Sequence, residues 1–291
     1  MNFAEKLKEL RKKKGYSQEQ LAEEIGVSRQ AITKWETGSG LPDIENIKIL
    51  AELFKMTIDE LIVEGTSVSN EVSHQYESET IYDIDMNKHF DIHAEGVKEI
   101  QIISGKDEKL HIKMQSNTIA EIEQLYKIKL EENKNKLDIL ITKKAELSEK
   151  LAKEEVKILI MLPEKYTEHC EIEGNAEIVN VNNLILNRLE FDGRANQIYA
   201  KNFRGSLEFN TMSDTEIFAQ QIQGRIELYL VKAVAVLHMD KDDTFHTLVK
   251  GRKNAIHFSK NNQPCDAFDT TDSDNEICLK GSHAELTIDL M

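Results

Sequence analysis

Two periodicities of apolar residues run along the chain, and one replaces the other after about residue 65. Up to that point the spacing is helical. Phe3, Leu7 and Leu10 stand at i, i+4 and i+7 of a first predicted helix. It closes on Arg11-Lys12-Lys13-Lys14-Gly15, with basic side chains at the negative end of the helix dipole and a glycine to stop it. A second helix opens at Ser17, with Gln20 three positions on in capping-box spacing. It turns Leu21, Ala22 and Ile25 inward and ends at Gly26, where a tight turn favours a residue without Cβ. A third, over about 28–37, opens at Ser28, a good N-cap, buries Ile32 and Trp35, and is closed by Gly38. A fourth follows Pro42-Asp43 with Ile47, Leu50, Ala51 and Phe54 in register. A fifth starts with Thr57 and Glu60 as another capping box, with Ile58, Leu61 and Ile62 inside.

Helices two and three, joined across Gly26, form a helix-turn-helix. Leu21, Ile25, Val27, Ile32 and Trp35 supply the apolar contacts, with small Ala22 at the crossing. This packing turns Arg29, Gln30, Thr33 and Lys34 outward near the N-terminal end of helix three, the end that enters the major groove in this motif. The stretch LKELRKKKGYSQEQLAEEIGVSRQAITKWETGSGLPDIENIKILAELF, followed by TIDELI, resembles the lambda-repressor-like, Xre-type DNA-binding domains of bacteria over residues 3–63. The resemblance implies five helices with the third as recognition helix. It implies base reading by Arg29, Gln30 and Lys34, phosphate or groove-edge contacts by Gln18 and Ser28, either role for Thr33, and a structural ion pair between Arg11 and Glu36. The family's basic residues after helix three are absent, because Ser39-Gly40-Leu41 stand there. The chemistry fits on its own terms: Arg bonds guanine and Gln bonds adenine in bidentate fashion. The run from Arg11 to Lys14 suits phosphate contact and a solvated helix end equally well. Trp35, at helical spacing from Ile32, reads as core.

Residues 65–80, with few large apolar side chains and no period, read as a linker. Strand periodicity follows. Residues 99–104 and 110–114 flank Gly105-Lys106-Asp107 as a predicted hairpin, and 126–130 and 137–142 flank a polar turn as another. Residues 145–155 read as a short helix or a mobile insertion, and 156–162 as an apolar strand ending at Pro163. From about residue 170 to 260 two strand elements recur every 18–20 residues. One series runs Glu171-Ile172-Glu173, Leu189-Glu190-Phe191, Leu207-Glu208-Phe209, Ile226-Glu227-Leu228 and Phe245-His246-Thr247. The other runs Ile178-Val179-Asn180, Ile198-Tyr199-Ala200, Ile217-Phe218-Ala219, Val236-Leu237-His238 and Ile256-His257-Phe258. Gly174, Gly193, Gly205 and Gly224 fall at the bends. Strands at so short a fixed period predict a β-solenoid or a stack of sheets, each coil covering the last, with 266–291 as the end cap. KILIMLPEKY and the spacing of the repeats resemble an adhesin-type β-repeat domain over about 80–291. With no export signal at the N-terminus, surface adhesion is not carried over from that resemblance.

Charge refines this division. The formal net charge is -15, but residues 1–65 hold ten Lys/Arg against twelve Asp/Glu, while 66–291 hold 27 against 40. The acidity sits mostly in the repeat region, and DNA responds to the local field of one face. The chain is 40% hydrophobic and 31% charged, as expected of a globular protein. No segment reaches the length of a membrane span, so no membrane contact is expected. The three cysteines, Cys170, Cys265 and Cys278, form no CxxC pair, which points to a reducing cytoplasm rather than a disulfide framework or cysteine-bound zinc. GxSxG, P-loop and HExxH motifs are absent. His89 and His93 lie in a predicted strand. The acidic groups Asp240-Asp242-Asp243 and Asp269-Asp272-Asp274-Glu276 read as solvated loops, the second lacking the EF-hand glycine and register. No cofactor, metal or enzymatic activity is expected.

The expected protein thus has two domains. Residues 1–65 form an all-α, five-helix, lambda-repressor-like DNA-binding domain, 66–80 a linker, and 81–291 an all-β, β-solenoid-like repeat domain. The expected function is that of a cytoplasmic bacterial transcriptional regulator reading a double-stranded operator, as a homodimer. The β domain would serve oligomerisation, sensing of an effector, or docking of a partner protein. The alternative is an interaction or scaffold protein whose β domain does the main work, with the helix-turn-helix as a tether.

Overall fold

The helical spacing of the first segment is realised in α1 (Phe3–Lys13), α2 (Gln18–Ile25), α3 (Arg29–Glu36) and α4 (Ile44–Phe54) of the computed structural model, which describes residues 3–38, 40, 42–54, 74–267 and 273–291. The fifth predicted helix and residues Ser39 and Leu41 lie outside the described residues. The chain divides into two units, Met1–Val72 and Ser73–Met291.

In the first unit the apolar positions close into one core: Phe3, Leu7, Leu21, Ala22, Ile25, Ile32, Trp35, Leu50 and Ala51 are buried together. Ser17 and Gln20 form the reciprocal capping box, and Gly26 takes the left-handed conformation (φ 72°) that turns the chain from α2 toward α3. Trp35 is a core residue.

The second unit is β-rich. Its strands are β1 (Tyr76–Asp83), β2 (Lys88–Gly105), β3 (Lys109–Ser116), β4 (Tyr126–Asn133), β5 (Lys136–Lys143), β6 (Lys157–Pro163), β7 (Thr167–Thr211), β8 (Thr215–Val231), β9 (Val234–Met239), β10 (His246–Val249), β11 (Ala255–Lys260), β12 (Gln263–Pro264), β13 (Glu276–Ser282) and β14 (Glu285–Leu290). Two short helices, α5 (Ile122–Leu125) and α6 (Glu149–Glu155), interrupt them. All strands belong to one hydrogen-bonded sheet system. It is not a solenoid throughout. At its head β1 pairs β3, β3 pairs β6, and β4 pairs β5, all antiparallel. Parallel pairing begins where β2 meets β5, β6 and β7, and continues from β7 to β8 and β9. There the 19-residue offset is explicit, with Ile198 opposite Ile217 and Leu207 opposite Ile226.

Four sequence expectations are corrected. The segment read as a linker runs too far, because β1 begins at Tyr76; its alternation is carried by half-buried Tyr76, Ser78 and Thr80 rather than by large apolar residues. The strands flanking Gly105-Lys106-Asp107 are not a hairpin, since β6 lies between β2 and β3. In the repeat, Ile217 faces Leu237 rather than Val236, a one-residue shift that keeps both buried. Residues 276–290 are not an outer cap. They insert as β13 against β8 and β14 against β9, and β10 and β11 pair on their far side.

Close stacking of the chain explains the bend glycines. At Gly205 (φ 136°) a Cβ would stand 1.8 Å from the Leu186 carbonyl oxygen, so neither the backbone angle nor the space admits a side chain.

Candidate nucleic-acid interface

The outer face of α3 is defined by what its inner face holds. Ile32, Trp35 and Glu36 are buried, while Arg29, Gln30, Thr33 and Lys34 are exposed. Arg29 with Thr33, and Gln30 with Lys34, are four residues apart and therefore neighbours on the helix surface. The Ser28 side chain accepts from the Ala31 N–H at 3.2 Å, which leaves its own O–H available to donate. The first-turn N–H groups of Arg29 and Gln30 add the positive end of the helix dipole.

Behind this face lies an ion pair. Arg11 Nε donates to Glu36 Oε1 at 2.5 Å and Arg11 Nη2 to Oε2 at 3.0 Å, a bidentate contact in which both residues are buried. Arg11 Nη1 also donates to the Tyr16 carbonyl at 2.8 Å, so the pair ties α1 and the α1–α2 turn to α3. Burial alone would raise the Glu36 carboxyl, but hydrogen bonds from Arg11 and Gln18 outweigh it and hold the group below its ordinary range. Arg11 is raised in turn, chiefly by its hydrogen bond to Glu36.

Gln18 extends this network. Its Nε2 donates to Glu36 Oε2 at 2.9 Å, and its Oε1 lies 3.3 Å from the Thr33 hydroxyl, which is also 3.0 Å from the Arg29 carbonyl. Gln18 and Thr33 thus join the start of α2 to the middle of α3, and one Nε2 N–H of Gln18 is left for another acceptor. Of the basic run that ends α1, Arg11 is committed to Glu36, and just beyond the helix Lys14 Nζ donates to the Leu53 carbonyl at 2.5 Å.

In the β unit, Cys170 and Cys278 are buried and Cys265 is exposed. Among the described residues no group of three or more His, Cys, Asp or Glu is placed to hold a metal ion; Asp269 and Asp272 lie outside them. One cluster escaped sequence reasoning. Ser259 Oγ donates to Asp289 Oδ1 at 2.5 Å, and His238 Nδ1 stands 3.4 Å from Asp289 Oδ2. The carboxylate sits between hydroxyl and imidazole, so the imidazole is not placed to activate the serine. The inserted strand β14 creates this juxtaposition, and no spacing in the sequence signals it. A cavity of about 1200 Å³ is lined by His93, Lys143, Lys153, Glu173 and Arg194 among others, a mixture of charges that selects no ligand class. No helix among the described residues is long and apolar enough to cross a membrane.

Comparison with known proteins places these observations. The helix-turn-helix family profile matches residues 7–61. The HTH-type transcriptional activator BcrR of Enterococcus faecalis is 53% identical over 62 residues, 21% of this chain and 30% of that protein. The cryptic phage CTXphi transcriptional repressor RstR of Vibrio cholerae is 41% identical over 61 residues, 21% of this chain and 54% of that one. YgzD of Bacillus subtilis, an uncharacterized HTH-type transcriptional regulator, is 38% identical over 56 residues, 19% of this chain and 85% of its own length. The chain therefore spans only about a third to a half of the first two of these relatives. In shape, 74% of the chain aligns with a proposed cell adhesion protein from Clostridium sporogenes at 14% identity and a TM-score of 0.39.

Proposed function

Because this chain belongs to the helix-turn-helix family of transcriptional regulators, we propose that it controls transcription by laying α3 in the major groove of an operator. Arg29 and Gln30 read base edges, the first suited to guanine and the second to adenine, each pair being worth about 1–3 kcal/mol of discrimination. Lys34 reads a further base, or the adjoining phosphate. Ser28, through its free O–H, and Gln18, through its remaining N–H, hold phosphates. Thr33 sits between these roles, because its hydroxyl already bridges toward Gln18. The observation that carries this reading is the row of exposed Arg29, Gln30 and Lys34 on a helix whose other side is fixed by Ile32, Trp35 and the Arg11–Glu36 pair. One such helix contacts few base pairs. Useful specificity therefore calls for two half-sites about 34 Å apart and a homodimer to span them.

In our reading, the parallel part of the β unit is a stack of coils and supplies the other half of the function: oligomerisation, sensing or docking. Of the two relatives with assigned roles, one is named an activator and the other a repressor, so the direction of control belongs outside the shared segment. The test is selection of duplexes from a randomised pool by the full-length chain and by its Arg29→Ala/Gln30→Ala variant. The wild type should enrich a two-fold symmetric sequence. The variant should lose that enrichment while its melting temperature stays unchanged, both side chains being exposed. Retained enrichment would reject α3 as the reading element.

A further inference from the structure

Residues 244–265 are the longest stretch of the chain without an aspartate or glutamate, 22 positions in a protein of net charge -15. They carry Lys250, Arg252, Lys253 and Lys260. Among the described residues this segment is outermost: β10 and β11 lie on the far side of β13 and β14, and beyond them only the two-residue β12 pairs. Lys250, Arg252 and Lys253 occupy the turn between β10 and β11 and are exposed. None of the three is in an ion pair among the described residues, whereas the neighbouring Lys280 is held by Glu227 and Arg225 by Glu227 and Glu276.

The turn is anchored at several points. Asn254 Nδ2 donates to the Lys250 carbonyl at 2.7 Å, and its Oδ1 accepts from the Ala284 N–H at 3.1 Å. Gly251 (φ 98°) packs so closely that a Cβ would lie 2.2 Å from the Gly281 carbonyl oxygen. Arg252 bridges Ser282 in parallel, and Ser282 in turn faces Val231. Three successive chain turns pass this corner in the same left-handed conformation, at Lys232 (φ 53°), His283 (φ 56°) and Lys253 (φ 56°), and all three side chains are exposed. Adjacent strands being about 4.8 Å apart, these bases form a column leading up to the basic turn. The acidic side chains nearest in sequence are Glu285 to His283, Glu227 to Lys232 and Asp243 to Lys250, and Asp214 accepts the Val234 N–H.

We propose that this corner, Lys250, Arg252 and Lys253 with Lys232 and His283 beneath, is a second DNA-contact site that grips the phosphate backbone without reading sequence. The proposal rests on the DNA-binding function argued above. It commits to duplex DNA through charge complementarity: the exposed, anchored Lys250, Arg252 and Lys253, none of them in an ion pair among the described residues, suit a polyanion on an otherwise acidic unit, and DNA is the polyanion that the chain's own family binds. Phosphate contacts position a protein while base contacts specify the site, so the corner adds affinity and salt dependence and leaves preference to α3.

The test uses the full-length chain and a long duplex of mixed sequence, titrated with salt. Lys250→Glu/Arg252→Glu/Lys253→Glu, and the uncharged Lys250→Gln/Arg252→Gln/Lys253→Gln, leave Gly251 and Asn254 in place. Each neutralised phosphate contributes about -0.9 to the slope of log affinity against log salt. Both variants should therefore bind with a slope shallower by about 2–3, and should still select the wild-type sequence from a randomised pool. A wild-type slope in both variants overturns the proposal. If that result comes with loss of a concentration-dependent increase in mass, the corner is instead a contact to a second, acidic copy of the chain. Arg29→Ala/Gln30→Ala run in parallel separates the two ideas: retained sequence preference there faults the recognition helix, whereas an unchanged slope in the corner variants faults only the corner. A wild-type chain without measurable affinity for duplex removes both.

Discussion

Glu36 carries its negative charge at 8% exposure because Arg11 and Gln18 supply three hydrogen bonds to its two oxygens. Removing one partner from a buried pair costs about 3–5 kcal/mol. Arg11→Met, which leaves the buried Glu36 carboxylate without its cation, should destabilise the helical unit by about 3 kcal/mol or more, read from urea unfolding followed by helical circular dichroism. The sign of the pH dependence follows from the depressed folded-state carboxyl. Above the ordinary carboxylate value, about 4.3, the unfolded chain is also ionised and the full stabilisation is present. As pH falls below that value the unfolded chain takes up its proton first, and the contribution is lost as pH passes down through the folded-state value. The stability gap between wild type and Glu36→Gln should therefore be constant at neutral pH and shrink on acidification; a gap independent of pH down to about 3 would contradict the assignment. At this scale much was legible. Ser17, Gln20 and Ser28 declared themselves by cap spacing, and Ile32 and Trp35 by helical period. The tie between Gln18 and Thr33 was not, because a side-chain hydrogen bond between two helices leaves no mark in a pattern of apolar positions.

Among the elements, bend glycines and strand order behave differently. Gly205 was legible as a bend, and the structure adds the reason. Gly205→Ala combines a left-handed backbone angle with a Cβ inside the radius of the Leu186 carbonyl oxygen. It should lower the stability of the β unit by about 3 kcal/mol or more, seen as a fall in its melting temperature. Unchanged melting would mean that the coils are not stacked at that spacing. Strand order was less legible. Apolar alternation marks a strand and the face it buries, but both neighbours of a central strand satisfy the same alternation. The strands on either side of Gly105 therefore read as a hairpin although β6 separates them. The polar alternation of β1 hid that strand inside an apparent linker. The 19-residue period survives as pairing from β7 to β8, where the sequence is most regular.

Across the whole molecule, a helix-turn-helix unit is joined to an acidic β unit more than twice its length, with a cationic corner at the turn between β10 and β11. The division into helical and β-rich parts was visible from the change in period. The position of the last strands was not, because residues 276–290 continue the apolar pattern and gave no sign of entering the stack one place early. A chain ending at residue 275 should lose more than its missing strands. β10 and β11 would be left without the partners that join them to β8 and β9. Limited proteolysis of that truncated chain should cut within residues 244–264, and protection there equal to wild type would refute the insertion. This ordering also bears on synthesis. The ribosome makes the outer coil before the layer it must rest on, so the growing polypeptide cannot finish this end of the molecule in the order it emerges. The outer strands have to wait for residues made after them, and a nascent polypeptide halted between the two layers would carry its basic turn undocked.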